Sequence, residues 1–305
     1  MSPLLDVNDL RMTFRGGVRA VDGVSFSVRQ GETLGLVGES GCGKSTTGRM
    51  IVRLLEPSGG QVTFDGRDIT HVSRRRLLPL RGDLQMVFQD PFTSLNPRRT
   101  AAQIISGPRR LLDRDGTIAL LERVGLGAEH ADRYPHEFSG GQAQRIGIAR
   151  ALASRPKLVI CDEPVSALDV SIQAQIVNLL RKLQEEEGLA YVFIAHDLSV
   201  VAHMCDRVAV MYLGRIVEIG DRKTVYADPA HPYTRALVSA VPLPDPDLEQ
   251  DRERIVLLGD PPNPASPPAG CTFNPRCAKA QNICRQEAPV LRLVRGRQAA
   301  CHFPD

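Results

Sequence analysis

Long hydrophobic segments are missing from the sequence. The longest apolar run, LAYVFIA at Leu189–Ala195, has seven residues, whereas a helix that crosses a membrane needs about 20. The N-terminal segment MSPLLDVNDL has no basic region followed by an apolar one, so it does not resemble a signal peptide. The sequence therefore predicts a soluble, cytosolic protein rather than a membrane-spanning one, and it leaves docking on a membrane protein open.

Charge of one sign and aromatic residues are also scarce. The net charge of the 305-residue chain is +3, tryptophan is absent, and aromatic residues make up 5%. A nucleic-acid-binding surface needs clustered positive charge, and the one basic run, Arg74–Arg76, is interpreted as a solvated helix start. Nucleic acid is therefore not an expected partner, and the length favours about two domains.

The first 240 residues predict an α/β fold. Short apolar runs that end at polar or glycine residues are typical of buried strands, and they occur in ETLGLVG, LQMVFQD, KLVICDEP and AYVFIAHD. Helical patterns follow several of them, at 44–55, 142–153 and 171–186. This alternation favours a mainly parallel sheet, and the β-rich opening region, up to about residue 35, predicts an additional antiparallel subsheet.

The amino-acid composition of the sequence changes after Ala240. Residues 241–305 hold 11 of the 22 prolines, and proline at this density is incompatible with regular helix. We therefore predict a domain at 1–240 and a small, loop-rich accessory domain at 241–305. For the stretches 241–252 and 259–269, a disordered linker is the alternative.

A glycine-rich loop joins the predicted strand TLGLV to a helix. Its sequence GESGCGKST fits the pattern G-x-x-x-x-G-K-[ST] of a phosphate-binding loop, in the required context of strand and helix. Glycines let backbone N–H groups point at phosphate oxygens, the lysine would reach the outer phosphates, and the following serine would bind Mg²⁺. The predicted nucleotide-binding residues are Gly38, Glu39, Ser40, Gly41, Cys42, Gly43, Lys44, Ser45 and Thr46.

Two adjacent carboxylates end another predicted strand. The strand LVICD carries Asp162 to its C-terminal end, with Glu163 directly after it, and open α/β sheets bind ligands at this end. Asp162 would hold Mg²⁺ through water, and Glu163 would polarise the attacking water. A solvated turn is the alternative for an isolated Asp-Glu pair, but the phosphate loop favours the catalytic interpretation.

A second helix start suited to phosphate occurs in FSGGQAQRIGIARAL at 138–152, where a serine and two glycines precede an amphipathic helix. This segment resembles the signature motif of ATP-binding cassette (ABC) proteins, with Phe138 where leucine is commoner. The resemblance covers residues 4–240. It implies contact with the ATP of a second subunit by Ser139, Gly140, Gly141 and Gln142.

The same resemblance assigns roles to other motifs. It implies that Gln89 in VFQDP senses Mg²⁺ and the γ-phosphate, and that the switch residue His196 in IAHD contacts the γ-phosphate. Phe14 would stack on adenine, with a core strand position as the alternative. The implied fold is an ABC-type P-loop domain with a parallel-sheet core, an antiparallel β subdomain and a helical subdomain at roughly 90–155. The implied D-loop at the dimer interface is Ser166, Ala167, Leu168 and Asp169.

Three further segments narrow the resemblance: VFQDPFTSLNPR, HPYTRALVSAVP and the C-terminal GDPPNPASPPAGCTFNPRC. They are similar to the ATPase subunits of oligopeptide and dipeptide importers, most of all to the dipeptide F-type subunit. This implies a peripheral protein on the cytoplasmic face of the inner membrane that hydrolyses ATP with Mg²⁺ to drive uptake of di- or oligopeptides. The implied partners are two permeases, an extracytoplasmic binding protein and a second ATPase, either a D-type paralogue or another copy of the chain.

Three functions are alternatives to peptide import. An importer for nickel, glutathione or another small solute would use a closely similar ATPase. A soluble ABC ATPase of translation or DNA repair usually has two cassettes or a long coiled-coil insertion, and the sequence shows neither. A nucleotide-binding regulator without hydrolysis is disfavoured by the presence of Glu163 and His196.

Four of the seven cysteines lie in the last 35 residues. Cytosolic thiols stay reduced, which disfavours disulfides, and a small region with little core of its own is a candidate for a metal staple. The C-x2–4-C knuckle of zinc sites is missing, while iron–sulfur clusters accept other spacings. The family resemblance also points to a [4Fe–4S] cluster, with zinc and free thiols as alternatives. We expect a structural element separate from the ATP-binding residues, with the ligands Cys271, Cys277, Cys284 and Cys301.

Overall fold

The structure, a computed structural model, describes residues 2–107, 111–242 and 254–305. It divides into two compact units. Unit 1 comprises Met1–Val28, Thr33–His71 and Ala195–Asp305, and unit 2 comprises Arg29–Glu32 and Val72–Ile194. The linker predicted at 241–252 lies almost entirely outside the described residues.

The secondary structure alternates between strands and helices through most of the chain. The strands are β1 Leu5–Thr13, β2 Arg19–Val28, β3 Thr33–Val37, β4 Gly59–Phe64, β5 Arg67–Asp68, β6 Leu84–Val87, β7 Leu158–Asp162, β8 Ala190–Ala195, β9 Arg207–Tyr212, β10 Arg215–Asp221, β11 Arg292–Val294 and β12 Arg297–Ala299. The helices are α1 Lys44–Ile51, α2 Arg74–Leu77, α3 Pro91–Ser94, α4 Ala101–Ser106, α5 Arg114–Arg123, α6 Gly140–Leu152, α7 Val170–Glu187, α8 Leu198–Met204, α9 Arg222–Ala227, α10 Pro232–Ser239 and α11 Asn282–Gln286.

Unit 1 contains an antiparallel sheet with the strand order β2-β1-β4-β5. Paired residues of β1 and β4 alternate between the two faces, as the period of two in a strand requires. Val7 and Val62 pair and are both fully buried, whereas the next pair, Asn8 and Gln61, is exposed. The antiparallel subsheet predicted for the opening region is confirmed.

The phosphate loop follows a buried strand of a second sheet in unit 1. All five residues of β3 are buried, which explains why its sequence is a continuous apolar run. β3 pairs in parallel with β9, and β9, β10, β12 and β11 continue in that order as antiparallel neighbours. Because β11 and β12 belong to the predicted accessory region, part of that region extends the strand arrangement that carries the loop.

A buried ion pair secures β12 beside β10. The Arg297 side chain is 1% exposed, and its Nε donates a hydrogen bond of 3.0 Å to the fully buried carboxylate of Glu218. The same carboxylate accepts the backbone N–H groups of Ala230 at 2.9 Å and His231 at 2.8 Å. Because both carboxylate oxygens of Glu218 accept hydrogen bonds, its charge is tolerated in the interior, and it connects β10 and β12 to the start of α10.

Unit 2 contains the parallel strands β6, β7 and β8, paired in that order. Every residue of β7 and β8 is buried, so these apolar runs are buried strands as predicted. Between β6 and β7 lie α3, α4, α5 and α6, which account for the helical subdomain expected near 90–155. The α/β fold with a helical subdomain is therefore confirmed.

Among the described residues, no helix is both long enough and apolar enough to cross a bilayer.

Candidate ATP-binding and catalytic site

The loop after β3 has backbone φ angles that glycine adopts readily and that other residues disfavour. Gly38 and Gly43 have φ angles of +152° and +105°, in the range that penalises a side chain. A Cβ at Gly38 would also collide with the carbonyl oxygen of Met211, and one at Gly43 with that of Ala20. These glycines are therefore needed for close backbone packing inside unit 1 as well as for the predicted approach to phosphate.

Lys44 begins α1 and folds back over the loop. It is 4% exposed, and its Nζ donates to the carbonyl oxygens of Gly38 at 2.7 Å and Glu39 at 3.0 Å. Burial raises the pKa of the neighbouring Cys42 thiol, an effect that Lys44 partly opposes. The loop therefore holds its one ammonium group at a helix N-terminus, where anions are favoured.

Two contacts to Glu39 were not expected from the sequence. The Glu39 N–H donates to the Tyr233 hydroxyl at 2.9 Å. Its carboxylate forms a two-pronged ion pair with Arg276, at 2.8 Å to Nη1 and 3.1 Å to Nη2. Arg276 precedes Cys277, so the expectation that the cysteine-rich stretch is separate from the ATP-binding residues is wrong at this position. No local pattern could have revealed it, since the partners lie 237 residues apart.

The end of β7 in unit 2 brings two predicted catalytic residues together. Asp162 is fully buried as the last residue of β7. Glu163 follows with a φ of +45°, a conformation that costs a non-glycine residue on the order of 1–3 kcal/mol and is concentrated at functional sites. The Gln89 Nε2 donates to the Glu163 carboxylate at 3.0 Å, and the Glu163 N–H donates to the Ile194 carbonyl at 3.0 Å.

The signature segment forms a capped helix start in unit 2. Ser139 is the N-cap of α6, where its hydroxyl accepts the Gln142 N–H at 3.4 Å and Gln142 Oε1 accepts the Ser139 N–H at 3.0 Å. This is a capping box. Phe138 is 7% exposed and stacks on His130 with ring centroids 5.8 Å apart, so the aromatic residue at this position packs inward.

The predicted D-loop lies against the start of the signature helix. A Cβ at Gly141 would approach Ile172 Cγ2 of α7 to 2.7 Å, and one at Gly140 would be 3.4 Å from Leu168. Ser166 is held by hydrogen bonds from its N–H and hydroxyl to the Glu163 carbonyl, at 3.3 and 3.1 Å. The signature glycines thus permit close packing on the segment that follows Glu163.

An arginine connects the Gln89 segment to the signature helix. Arg150 of α6 donates to the Ser94 carbonyl at 2.6 Å, and its guanidinium carbon lies 5.7 Å from the centre of the Phe88 ring. Burial lowers the pKa of Arg150. Sequence patterns did not single out this residue, whose role depends on a contact 56 positions away.

The two remaining predicted nucleotide contacts in unit 1 are at the surface. His196 is exposed directly after β8. Phe14 follows β1 and is 42% exposed, so its ring is not a core strand residue, which was the alternative to adenine stacking. Both side chains have the accessibility that ligand contact requires.

The [4Fe–4S] cluster predicted at Cys271, Cys277, Cys284 and Cys301 is not supported. Burial, and to a smaller degree the neighbouring thiols, raise the pKa of Cys271 to about 11, so the four side chains do share one neighbourhood. Across 2–107, 111–242 and 254–305, however, no three Cys, His, Asp or Glu residues are arranged to hold a metal ion.

The premise of a tail without a core also fails. Phe273 is 1% exposed and packs on Tyr212 and Tyr233 with ring centroids 5.1 and 5.4 Å apart. Together with the pairing of β12 with β10, this packing gives the cysteine-rich stretch an apolar core contact within unit 1.

A phosphate-binding loop, a buried aspartate followed by a strained glutamate, and a glutamine bound to that glutamate define a class of protein: the ATPases of the P-loop type with an ABC signature helix. The family descriptions agree, since "ABC transporter" matches residues 21–166 and "Oligopeptide/dipeptide transporter, C-terminal region" matches residues 217–284.

Relatives with curated names are similar over most of their length. The chain is 52% identical to the putative oligopeptide transport ATP-binding protein YkfD of Bacillus subtilis, covering 99% of this chain and 95% of that protein. It is 55% identical to the oligopeptide transport ATP-binding protein OppF of Salmonella typhimurium, covering 90% and 84%. A solved structure, the dimeric cassette MJ0796 in a post-hydrolysis state with ADP and Pi, matches with a TM-score of 0.64 and 29% identity, covering 72% of this chain and 98% of that chain.

The chain belongs to the ABC transporter family, as an ATP-hydrolysing subunit with the C-terminal region of the oligopeptide/dipeptide transporters. The resemblance read from the sequence is confirmed at this level.

Proposed function

We propose that this chain couples ATP binding and hydrolysis to the import of oligopeptides or dipeptides through partner permeases. The names of the relatives support peptide as the substrate class, because both are called oligopeptide transport ATP-binding proteins. The match of residues 217–284 to the oligopeptide/dipeptide transporter C-terminal region supports the same substrate class independently of the cassette.

The observation that carries the catalytic proposal is the contact between Gln89 and Glu163. Glu163 is the general base that activates water, and the amide of Gln89, 3.0 Å from its carboxylate, orients that base. The strained backbone of Glu163 fixes its direction, since it leaves the chain few alternative conformations. His196 supplies the contact to the γ-phosphate, and Phe14 stacks on the adenine.

Mg²⁺ and ATP are the small molecules in this proposal. Asp162, Gln89 and Ser45 would hold Mg²⁺, which prefers oxygen ligands and keeps several waters beside nucleotide phosphates. The full burial of Asp162 fits this role, because a buried carboxylate is favoured by a nearby cation. The ion would neutralise charge that develops on the phosphates. Given the arrangement of the tail cysteines, a metal cluster has no part in the proposal.

A second cassette completes each ATP site. The phosphate loop of one chain, Gly38–Thr46, faces the signature residues Ser139–Gln142 of the other, with the D-loop, Ser166–Asp169, at the interface. The dimeric state of the similar cassette MJ0796, with ADP and Pi, supports this arrangement. The second cassette is either a D-type paralogue or another copy of this chain, and closure of the pair shifts the permeases between access states.

The permeases hold the protein at the cytoplasmic face of the inner membrane. The short helix α3 begins at Asp90, whose carboxylate caps the N–H groups of Phe92 and Thr93. Phe92 is 45% exposed, so it offers an apolar contact beside Gln89. We propose that a short cytoplasmic helix of a permease binds here, while an extracytoplasmic protein selects the peptide.

Replacing Glu163 by glutamine tests the catalytic assignment. Glu163→Gln keeps the size of the side chain but removes the base, so ATP hydrolysis by the assembled complex should fall at least about 100-fold while ATP-driven pairing of cassettes persists. Glu185→Gln is the matched control, because Glu185 is a 73% exposed glutamate on α7. Hydrolysis at the wild-type rate in Glu163→Gln would refute the assignment of the base.

The substrate is tested in vesicles that contain the assembled complex with its binding protein. Uptake of labelled di- and oligopeptides should depend on ATP, whereas nickel or glutathione should be excluded. Transport of nickel or glutathione without peptide transport would leave the ATPase assignment intact and contradict the substrate class.

A further inference from the structure

The C-terminal region places a guanidinium group directly on the phosphate loop. Arg276 ends a 3-10 turn, Asn274–Arg276, and its side chain is 7% exposed. It forms two hydrogen bonds to the Glu39 carboxylate, at 2.8 and 3.1 Å, and a longer one of 3.5 Å to the Tyr212 hydroxyl. Paired N–H···O bonds of this kind fix geometry as well as charge.

Aromatic packing holds this guanidinium in place. Phe273, three residues earlier, is buried against Tyr212, Tyr233 and His231, with ring centroids 5.1 to 5.6 Å apart. The Arg276 guanidinium carbon lies 5.9 Å from the centre of the Tyr212 ring. Because Phe273 and Arg276 stand on one short turn, the position of the charge follows from the packing of the ring.

Glu39, the ion-pair partner of Arg276, is hydrogen-bonded through its main chain to Lys44 of the phosphate loop and to Tyr233. The carbonyl of Glu39 accepts a hydrogen bond from Lys44 Nζ, and its N–H donates to the Tyr233 hydroxyl. Its carboxylate is 28% exposed. A carboxylate within a loop that receives a polyphosphate opposes binding, because like charges repel across a partly buried surface.

We propose that Arg276 is a positioning residue for ATP binding, which neutralises the Glu39 carboxylate and fixes the orientation of the loop at that residue. This inference rests on the proposed role of Gly38–Thr46 as the phosphate site of ATP. It makes the accessory region a determinant of nucleotide affinity. The competing interpretation is a purely structural ion pair, which holds the accessory region against the rest of unit 1 and has no role in ATP binding.

The two interpretations differ in the effect that Glu39→Gln should have on ATP binding. Both Arg276→Gln and Glu39→Gln remove the ion pair. If the pair is purely structural, the two variants should change ATP binding equally or leave it unchanged. If Arg276 masks a repulsive charge, Arg276→Gln should weaken binding roughly ten-fold, as expected of one uncompensated charge near a partly buried loop. Glu39→Gln should then bind more tightly than the wild type, and the double variant should lie between the two single ones.

The experiment measures binding of the non-hydrolysable analogue AMP-PNP with Mg²⁺ to the full-length chain by calorimetry. Arg276→Lys keeps the charge but loses the paired, stacked geometry, so it should weaken binding less than Arg276→Gln does, and Glu39→Gln alone still separates the two interpretations if Arg276→Gln does not fold. The difference between Arg276→Gln and the wild type should shrink only in part as salt is raised, because the unpaired Glu39 carboxylate is 28% exposed and partly buried charges are screened less than exposed ones.

Equal weakening by Glu39→Gln and Arg276→Gln would overturn the inference. Lys44→Ala separates this failure from failure of the proposed function. If Lys44→Ala abolishes AMP-PNP binding while the Arg276 and Glu39 variants bind like the wild type, the phosphate site stands and the inference is wrong. If Lys44→Ala binds like the wild type, the phosphate site itself is wrong.

Discussion

Acidification should destabilise this protein through one buried histidine. His231 is 1% exposed, and its Nδ1 accepts the Tyr233 N–H at 3.1 Å as the N-cap of α10. Burial lowers the pKa of the His231 imidazole from 6.5 to about 3. The Glu218 carboxylate, which accepts the backbone N–H of His231, is itself paired with Arg297.

The sign and size of the effect follow from the lowered pKa. Because the unfolded chain takes up a proton near pH 6.5 and the folded chain does not until about pH 3, stability is complete above pH 6.5 and is lost as the pH falls through this window. Each pH unit within the window costs about 1.4 kcal/mol. Lowering the pH to about 5 should therefore remove about 2 kcal/mol from the free energy of unfolding.

The test compares the wild type with His231→Asn. Asparagine is a good N-cap and does not titrate, so the variant should lose stability at neutral pH from its smaller side chain but escape the acid loss. Urea unfolding followed by circular dichroism, since the chain has no tryptophan, should show the gap between the proteins narrowing by about 2 kcal/mol from pH 8 to pH 5. His71→Asn, at an exposed histidine, is the control for loss of an imidazole. Parallel pH profiles for the wild type and His231→Asn would refute the reasoning.

Two further substitutions probe packing in unit 1, each read out by urea unfolding. Gly43→Ala should lower the free energy of unfolding by about 2–4 kcal/mol, because it adds both backbone strain and a collision. Gly17→Ala, with a φ of +82° but open space around it, should lower it by about 1 kcal/mol. Equal losses in the two variants would contradict the collision at Gly43. Arg297→Met should cost about 3–5 kcal/mol because it leaves Glu218 buried without its cation. Adding Glu218→Gln should recover part of that loss, and no recovery would contradict the charge argument.

Local sequence patterns were sufficient wherever structure depends on neighbours along the chain. The apolar runs of β3, β7 and β8 are continuous because these strands are fully buried, and the capping box at Ser139 and Gln142 joins residues three apart. The phosphate loop could be recognised because its glycines, lysine and serine all fall within the segment GESGCGKST.

Contacts between distant residues could not be predicted in the same way. The hydrogen bond from Gln89 to Glu163 spans 74 positions. The family resemblance singled out Gln89, and the end of a predicted strand singled out Glu163, but nothing local placed the two together. The segment HPYTRAL was recognised only through the family resemblance, which gave no physical reason for its residues. Its physical basis is that His231 caps α10 and that Tyr233, two residues later, reaches the backbone of Glu39.

The metal staple expected at the C-terminal cysteines is unsupported for a related reason. The small, proline-rich C-terminal region was expected to have little core of its own, which a metal would replace. The core is instead shared with the rest of unit 1, through Phe273 and the pairing of β12 with β10.

The ion pair between Glu218 and Arg297 also bears on how the protein is made. The two residues are 79 positions apart, so a growing chain reaches β10 and α10 well before the cation that neutralises Glu218 has been synthesised. Until then β10 has an open edge, and open edges invite aggregation. A message cut short before Arg297 would yield a polypeptide with most of its ATP-binding motifs but an isolated interior charge. Such fragments should be unstable and rapidly degraded by proteases, which would keep incomplete ATPases from competing for the permeases.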